Sequence, residues 1–337
     1  MSDGKRKREL ARADRVLPGV WRLRLPLPWP VVPHVNAYAI ASGSGVVLVD
    51  TGMHEPGSMA QLERALDQAG LRLDHIKLVV CTHAHSDHSG LTGPIIDTTG
   101  AELWVHPNHA HMTRAAQDPE RAFERRIEVA RQSGVPIAAL ERYREQNKDQ
   151  GVGIERVVLP DRDLVPGVEV ETDLGRWQVH ETPGHAPSHV VLHQPDRRLM
   201  LSGDHVLGRA SLYFDYGYTP DPVGEYMASL DDIRNLDVDL VLAGHGRPVR
   251  GFTPLVGAHE ELVVQALARV REALAEQPRT PFEIVAFVLG IQDLPPAAVS
   301  WGLSLTLCYL QHLELRGEVS LVDGSDPERW ELTAQSS

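Results

Sequence analysis

The chain has 337 residues, 42% of them hydrophobic and 5% aromatic, with 33 Lys and Arg against 46 Asp and Glu for a formal net charge of −13. That length and apolar content suffice for a full buried core and allow two domains, while the acidic balance disfavours nonspecific binding to a phosphate backbone. Two cysteines, Cys81 and Cys308, make no disulfide framework, and the N-terminal stretch carries charge without the apolar run of an export signal or membrane span, so a cytoplasmic protein without membrane contact is expected.

In chain order, residues 1–15, with the basic run at 5–8, read as a disordered basic tail. A first domain is expected over 16–252 and a second over 253–337. Residues 46–49 and 78–80 read as buried strands. Between them Ser58-Met59-Ala60-Gln61 has capping-box form, with Leu62 and Leu66 on one helical face and Gly70 at the stop. A helical insertion is expected at about 107–150. There Asp118 caps a helix with Pro119 in its first turn, Phe123, Ile127 and Ala130 form an apolar stripe, Gly134 ends it, and a second helix lies around 137–143. His106, His109 and His111 at its entrance read as surface histidines, since no carboxylate or thiolate completes a metal set.

Residues 168–202 read as strand after strand, broken by turns at 173–175 and 195–197. A loop with Tyr213, Tyr216 and Tyr218 then leads to a helix start at Asp221-Pro222. These tyrosines are candidate walls of a substrate pocket, with packing beneath the next helix as the alternative. Thr253-Pro254 opens a long helix carrying Leu262, Ala266, Val270 and Leu274. Thr280-Pro281-Phe282-Glu283 is a second capping box, residues 297–316 form a third helix stopped by Gly317, and a hairpin around Asp323-Gly324 returns through Trp330.

The stretch Thr82-His83-Ala84-His85-Ser86-Asp87-His88-Ser89-Gly90 places three imidazoles and a carboxylate within six positions at the end of a strand. Alternation sends His83 and His85 to one side, while Asp87 and His88 follow on a turning backbone, so one loop can serve two metal ions. His185, Asp204 and His245 each follow an apolar run and sit beside glycine, as expected where a backbone leaves a sheet toward a site. The donors are imidazole and carboxylate, with Cys81 read as a small buried strand residue; such a set suits zinc and also admits iron, manganese or cobalt.

On these residues the chain resembles the metallo-β-lactamase-fold hydrolase superfamily, in its glyoxalase II-like and β-lactamase-like branches. Asp50, in Val47-Leu48-Val49-Asp50-Thr51-Gly52, matches the first motif, the 83–88 cluster the second, and His185, Asp204 and His245 the third to fifth. The resemblance implies an α+β fold, an αββα sandwich over 16–252 followed by a small winged-helix-like domain. It implies that His83, His85 and His185 bind one metal, that Asp87, His88 and His245 bind the other, and that Asp204 bridges them. Two zinc ions are expected. Asp50 reads as a buried residue behind the ligands or as a plain turn residue. His189 and His205, next to ligands in sequence, are candidates to hold a ligand or substrate from behind, with ordinary structural roles as the alternative. His85 stands where the flavodiiron branch carries Glu, which argues against electron transfer.

The expected activity is hydrolysis of a small-molecule ester, lactone or thioester by water activated between two divalent ions, with Asp87 and Asp204 as catalytic carboxylates. Alternatives are a ribonuclease of the same fold, β-lactamase-like amide hydrolysis, and a non-catalytic scaffold. The third C-terminal helix carries Trp301, Leu303, Leu305, Leu307, Leu310 and Leu313 with few cations, which favours a structural or homodimerisation role over binding nucleic acid.

Overall fold

The computed structural model describes residues 9–29, 32–147, 151–292 and 294–333; the 5–8 basic run lies outside them. Two mixed sheets are built from strands whose alternate side chains serve different cores. The first sheet runs β1 (Arg12–Leu17), β2 (Val20–Pro26), β3 (His34–Ser42), β4 (Gly45–Val49), β5 (Ile76–Val80), β6 (Glu102–Val105) and β7 (Arg162–Asp163) in that spatial order. It is antiparallel as far as β4 and parallel beyond it. In the second sheet β8 (Glu169–Thr172), β9 (Gly175–Glu181), β10 (Val190–Gln194) and β11 (Leu199–Gly203) form an antiparallel meander. There β12 (Leu240–Ala243) lies parallel to β11, and β13 (Val249–Arg250) closes the edge.

The period-2 pattern makes the layers. Val47 and Val49 on β4 join Leu192 on β10, Leu199 and Leu201 on β11 and Leu242 on β12 in a core between the sheets. Val46 and Leu48 face the other way, into a core covered by α1 (Ser58–Gln68) through Leu62, Ala65 and Leu66. Beyond α1, α2 (Ser86–Ser89) and α3 (Thr92–Thr99) lie between β5 and β6. The insertion contains α4 (Ala110–Gln117), α5 (Pro119–Gln132) and α6 (Ile137–Asn147). On the outer face of the second sheet, Val191, Met200, Val241 and Ala243 pack against α7 (Pro222–Ile233). This is the αββα sandwich of the expectation.

The C-terminal stretch forms α8 (Phe252–Leu274), α9 (Pro281–Leu289), α10 (Pro296–Leu315) and a hairpin of β14 (Val319–Leu321) and β15 (Trp330–Leu332). These elements extend the outer core of the second sheet: Val263, Val270, Ile284, Leu305, Leu310, Leu313 and Trp330 belong to one apolar cluster with Met200 and Val241. Fully burying a side chain of this size contributes about 1.5–3 kcal/mol, and the cluster joins the three helices to the sandwich.

Local chemistry sets the helix ends. Asp118 and Asp221 accept hydrogen bonds from the backbone N–H groups of Arg121 and Gly224, each with proline in the first turn, and Thr280 with Glu283 forms the expected reciprocal box. Two expectations are corrected. The cap of α1 is Gly57 in the left-handed conformation, and the Ser58 hydroxyl instead accepts from the Glu55 N–H. The tail expected over 1–15 yields to a strand from Arg12, because Ala11 and Ala13 dock beneath α1 and their N–H groups donate to the side chains of Gln61 and Gln68.

Candidate metal centre

The site residues gather at one edge of the sandwich. Asp50 follows β4, the 82–90 loop follows β5, His185 lies between β9 and β10, Asp204 follows β11 and His245 follows β12. With β4 parallel to β5 and β11 to β12, these strands deliver their C-terminal ends together, where α/β sheets place ligands. The glycines beside the donors permit close approach. At Gly184 (φ +120°) a Cβ would fall 2.5 Å from the Tyr226 backbone, and at Gly244 it would fall 2.2 Å from Asp204 Oδ1.

The expected donors form two groups, and a third set joins His85 to His111 and Asp215. His83, His85 and His185 converge with ring centroids 4.6–4.9 Å apart and with His185 Nε2 3.0 Å from His85 Nδ1. The single turn of α2 brings Asp87 and His88 round to meet Asp204 and His245. There His245 Nε2 lies 3.1 Å from Asp204 Oδ2 and 3.3 Å from Asp87 Oδ2, and His88 Nε2 lies 3.4 Å from Asp204 Oδ1. Asp204 Oδ2 is also 3.9 Å from His185 Nε2, so one carboxylate reaches both groups. His83 Nε2, His88 Nε2 and Asp204 Oδ1 are buried without a hydrogen-bond partner. A buried polar atom left unpaired costs about 1–3 kcal/mol, and a shared cation on each group removes that cost; the donor set fits two divalent ions.

The far nitrogens are held as well. His88 Nδ1 faces Asp50 Oδ2 at 2.8 Å, and Asp50 also accepts from the Thr82 N–H and hydroxyl. Asp50 is left-handed, with φ 62°, a strained backbone that Asp tolerates better than most residues. His245 Nδ1 meets the His34 carbonyl at 2.9 Å, His185 Nδ1 the Tyr213 carbonyl at 3.0 Å, and His85 Nε2 the Asp215 carboxylate at 2.9 Å. Such partners fix the orientation and basicity of ligand histidines.

Residues 31–245, more than half of the chain, match the metallo-beta-lactamase superfamily. The chain belongs to that superfamily. Like it are "Probable metallo-hydrolase YqjP" of Bacillus subtilis (strain 168), 27% identical over 85% of this chain and 88% of that protein, and "Thioesterase pkgB" of Emericella nidulans, 23% identical over 71% of this chain and 53% of that protein. Among solved structures, a beta-lactamase domain protein from Burkholderia ambifaria superposes with a TM-score of 0.82 at 27% identity, covering 95% of this chain and 94% of that one. The protein is a metallo-hydrolase of the metallo-β-lactamase superfamily, with His/Asp clusters typical of a dinuclear site.

Within this metallo-β-lactamase centre the two groups differ in charge. Burial disfavours a proton on His88, but the carboxylates of Asp204, Asp87 and Asp50 hold its pKa well above the ordinary value. Against the same burial, Asp204 and Asp87 raise His245 to about 10. In the other group burial and neighbouring imidazoles push His83 well below the ordinary value and His185 to about 4. Against the same burial the Asp215 carboxylate raises His85 above its ordinary value, so His83 and His185 are neutral and ready to bind, whereas His85 and the second group favour protons that a metal must displace.

Two functional residues escape the sequence patterns. Asp215 lies in the aromatic loop. His111, on α4, is buried rather than superficial; its Nδ1 lies 3.1 Å from the Asp215 carboxylate, and its Nε2 2.9 Å from the Ser188 hydroxyl, which accepts from the Ala84 N–H. This corrects the surface reading for His111, since folding supplies the missing carboxylate from 104 residues downstream, while His109 stays half-buried. His106, like His111, is buried, with its ring on Glu181.

His189 Nε2 accepts from the Asp204 N–H at 3.1 Å, so it steadies the bridging residue through its backbone. His205 makes no hydrogen bond to a donor residue: both ring nitrogens are buried without partners, and its ring lies 4.7 Å from that of Tyr226 and 5.6 Å from that of His189. The three tyrosines divide. Tyr213 places its ring 5.7 Å from those of His85 and His185, Tyr218 stacks edge-on to His111, and Tyr216 packs against the C-terminal apolar clusters.

Proposed function

We propose that the protein hydrolyses a small-molecule ester, lactone or thioester at a dinuclear centre, most suitably of zinc. The observation that carries this reading is the sharing of Asp204 between two complete donor groups. His83, His85 and His185 would hold one ion, Asp87, His88 and His245 the other, and Asp204 both. Two divalent ions held there would lower the pKa of a shared water toward neutrality and polarise the acyl oxygen.

The protein's own groups supply orientation and proton transfer. Asp50, Asp215 and the carbonyls of His34 and Tyr213 keep the ligand imidazoles aimed. Burial raises the Asp87 pKa, but His88 and His245 outweigh it and leave the carboxyl below its ordinary range, so Asp87 enters the reaction as an anion able to accept a proton.

The small-molecule class is favoured by the charge of −13 and by the burial of α10, whose Leu303, Leu305, Leu307, Leu310 and Leu313 lie in the core. A helix so enclosed does not offer a face to a nucleic-acid groove. The thioesterase name of the fungal relative adds support for an acyl substrate. The C-terminal helices and hairpin fit a winged-helix-like module with a structural role.

The test is turnover by metal-loaded protein of p-nitrophenyl esters, homoserine lactones, acyl-thioesters, a cephalosporin and single-stranded RNA. Chelator-sensitive hydrolysis of the first three classes is expected. Turnover confined to RNA or the cephalosporin would overturn the proposal.

A further inference from the structure

Asp14, Arg22, Arg24, His34, Gly246 and Arg247 line a cavity of about 350 Å³, within the ~300–1,000 Å³ range of small-molecule sites. None of these residues belongs to the two donor groups, yet the cavity adjoins them. β2 and β4 are both antiparallel to β3 and so run in one direction; β2 carries Arg24 toward the edge where Asp50 follows β4, and β3 starts there with His34. Arg22 and Arg24 stand opposite Tyr38 and Asn36, and directly paired residues share a face. Tyr38 and Asn36 bond to the Ala243 carbonyl at the end of β12, which turns that face toward the centre. Gly246 and Arg247 continue the turn that presents His245.

Charge distinguishes this cavity from the rest of an acidic chain. Arg22 is committed: it donates to the Gly246 carbonyl at 2.7 Å and pairs with Asp14, tying β2 to the His245 turn. Arg24 lies 3.6 Å from the well-exposed Glu9 carboxylate and 3.4 Å from His34 Nδ1. His34 Nδ1 can accept from that guanidinium. Arg247 is exposed and has no ion pair among the described residues. Three guanidinium groups thus face two carboxylates. A guanidinium presents a planar fork of N–H donors matched to carboxylate and phosphate oxygens.

We infer that this cavity is a subsite for an oxyanion, a carboxylate or phosphate on the substrate, with Arg24 and Arg247 as specificity-determining residues. The inference rests on the hydrolase reading above for the bond that is cleaved. The substrate class narrows to acidic esters or thioesters, bound with the anionic group on the arginines and the acyl carbon at the metal donors.

The test compares mono-4-nitrophenyl succinate with 4-nitrophenyl acetate on metal-loaded protein at constant ionic strength, alongside calorimetric titration with inorganic phosphate. The wild type is expected to favour the anionic ester by about ten-fold in kcat/KM, mostly through KM, equivalent to ~1.4 kcal/mol. R24Q and R247Q should bring that ratio toward one and weaken phosphate binding, while R176Q, a remote exposed charge on β9, should leave the ratio as it is. R247Q alone alters an exposed side chain and keeps the Arg22–Asp14 pair, so it guards against misfolding of the other variant. Equal ratios in wild type and variants, with phosphate binding unchanged, would overturn the subsite and leave the hydrolase reading standing. Phosphate binding lost in the variants of a protein that hydrolyses neither ester would support the subsite and sink the ester part of the hydrolase reading.

Discussion

Asp215 Oδ2 lies 2.9 Å from His85 Nε2, on the side of the ring opposite the donor nitrogen Nδ1 that meets His185. Two residues upstream, the Tyr213 carbonyl holds His185. One three-residue stretch therefore aims two of the three imidazoles of the first group.

Asp215→Asn keeps the shape of that contact and removes its charge. Loss of such a partner costs typically 10–100-fold in metal affinity, and about that loss is expected for the first ion. Cobalt-substituted protein should show an altered visible spectrum, and His111→Ala a smaller change in the same direction. Unaltered spectra and affinities in both variants would remove Asp215 from the centre.

The shared carboxylate makes a second prediction. Wild-type protein should hold about two metal equivalents, His245→Ala about one, and Asp204→Ala close to none, as measured by elemental analysis after dialysis. Retention of an equal amount by the Asp204 and His245 variants would show that Asp204 serves a single ion.

In metal-free protein His245 has a folded pKa of about 10, above its unfolded value of ~6.5; His88 is displaced in the same direction. Their contribution to stability is fully present below about pH 6.5 and is lost as pH rises through 10. Scanning calorimetry of chelated protein should show Tm falling across that window. Metal uptake near neutral pH should release protons, so affinity should rise with pH. A metal-free Tm flat from pH 6.5 to 10 would contradict the charged state of the second group.

Gly244→Ala would set a methyl group 2.2 Å from Asp204 Oδ1 and 2.7 Å from His88 Cε1. Overpacking of this kind costs about 1–3 kcal/mol, and here it would displace two donors. Metal content should drop more than Tm does; a variant that binds two ions normally would mean that the 244 turn shifts freely.

The seven donors were legible in sequence because each announces itself locally, through an apolar strand, a glycine and a side chain of ligand type. Asp118, Asp221 and Thr280 were legible as caps for the same reason, since a cap is settled within four residues. Asp215 and His111 were not. One sits among aromatics and the other on an amphipathic helix, and their common purpose exists only once α4 and the 213–218 loop are brought against the ligand loop. Residues 12–15 were misjudged as tail because basic residues dominate the composition around them, whereas two small alanines and the α1 glutamines decide the pairing.

α10 grips the loop from behind: Trp301 Nε1 donates to the Leu212 carbonyl and Ser304 Oγ to the Phe214 carbonyl, alternating with the points at which residues 213 and 215 grip the histidines. Core, loop and ligands thus form a relay of mechanical support reaching from the far end of the chain to the reactive edge. A chain cut after residue 252 would keep every donor and lose the brace behind two of them. The aim of the ligand imidazoles therefore depends on α10 as well as on the strands that carry them.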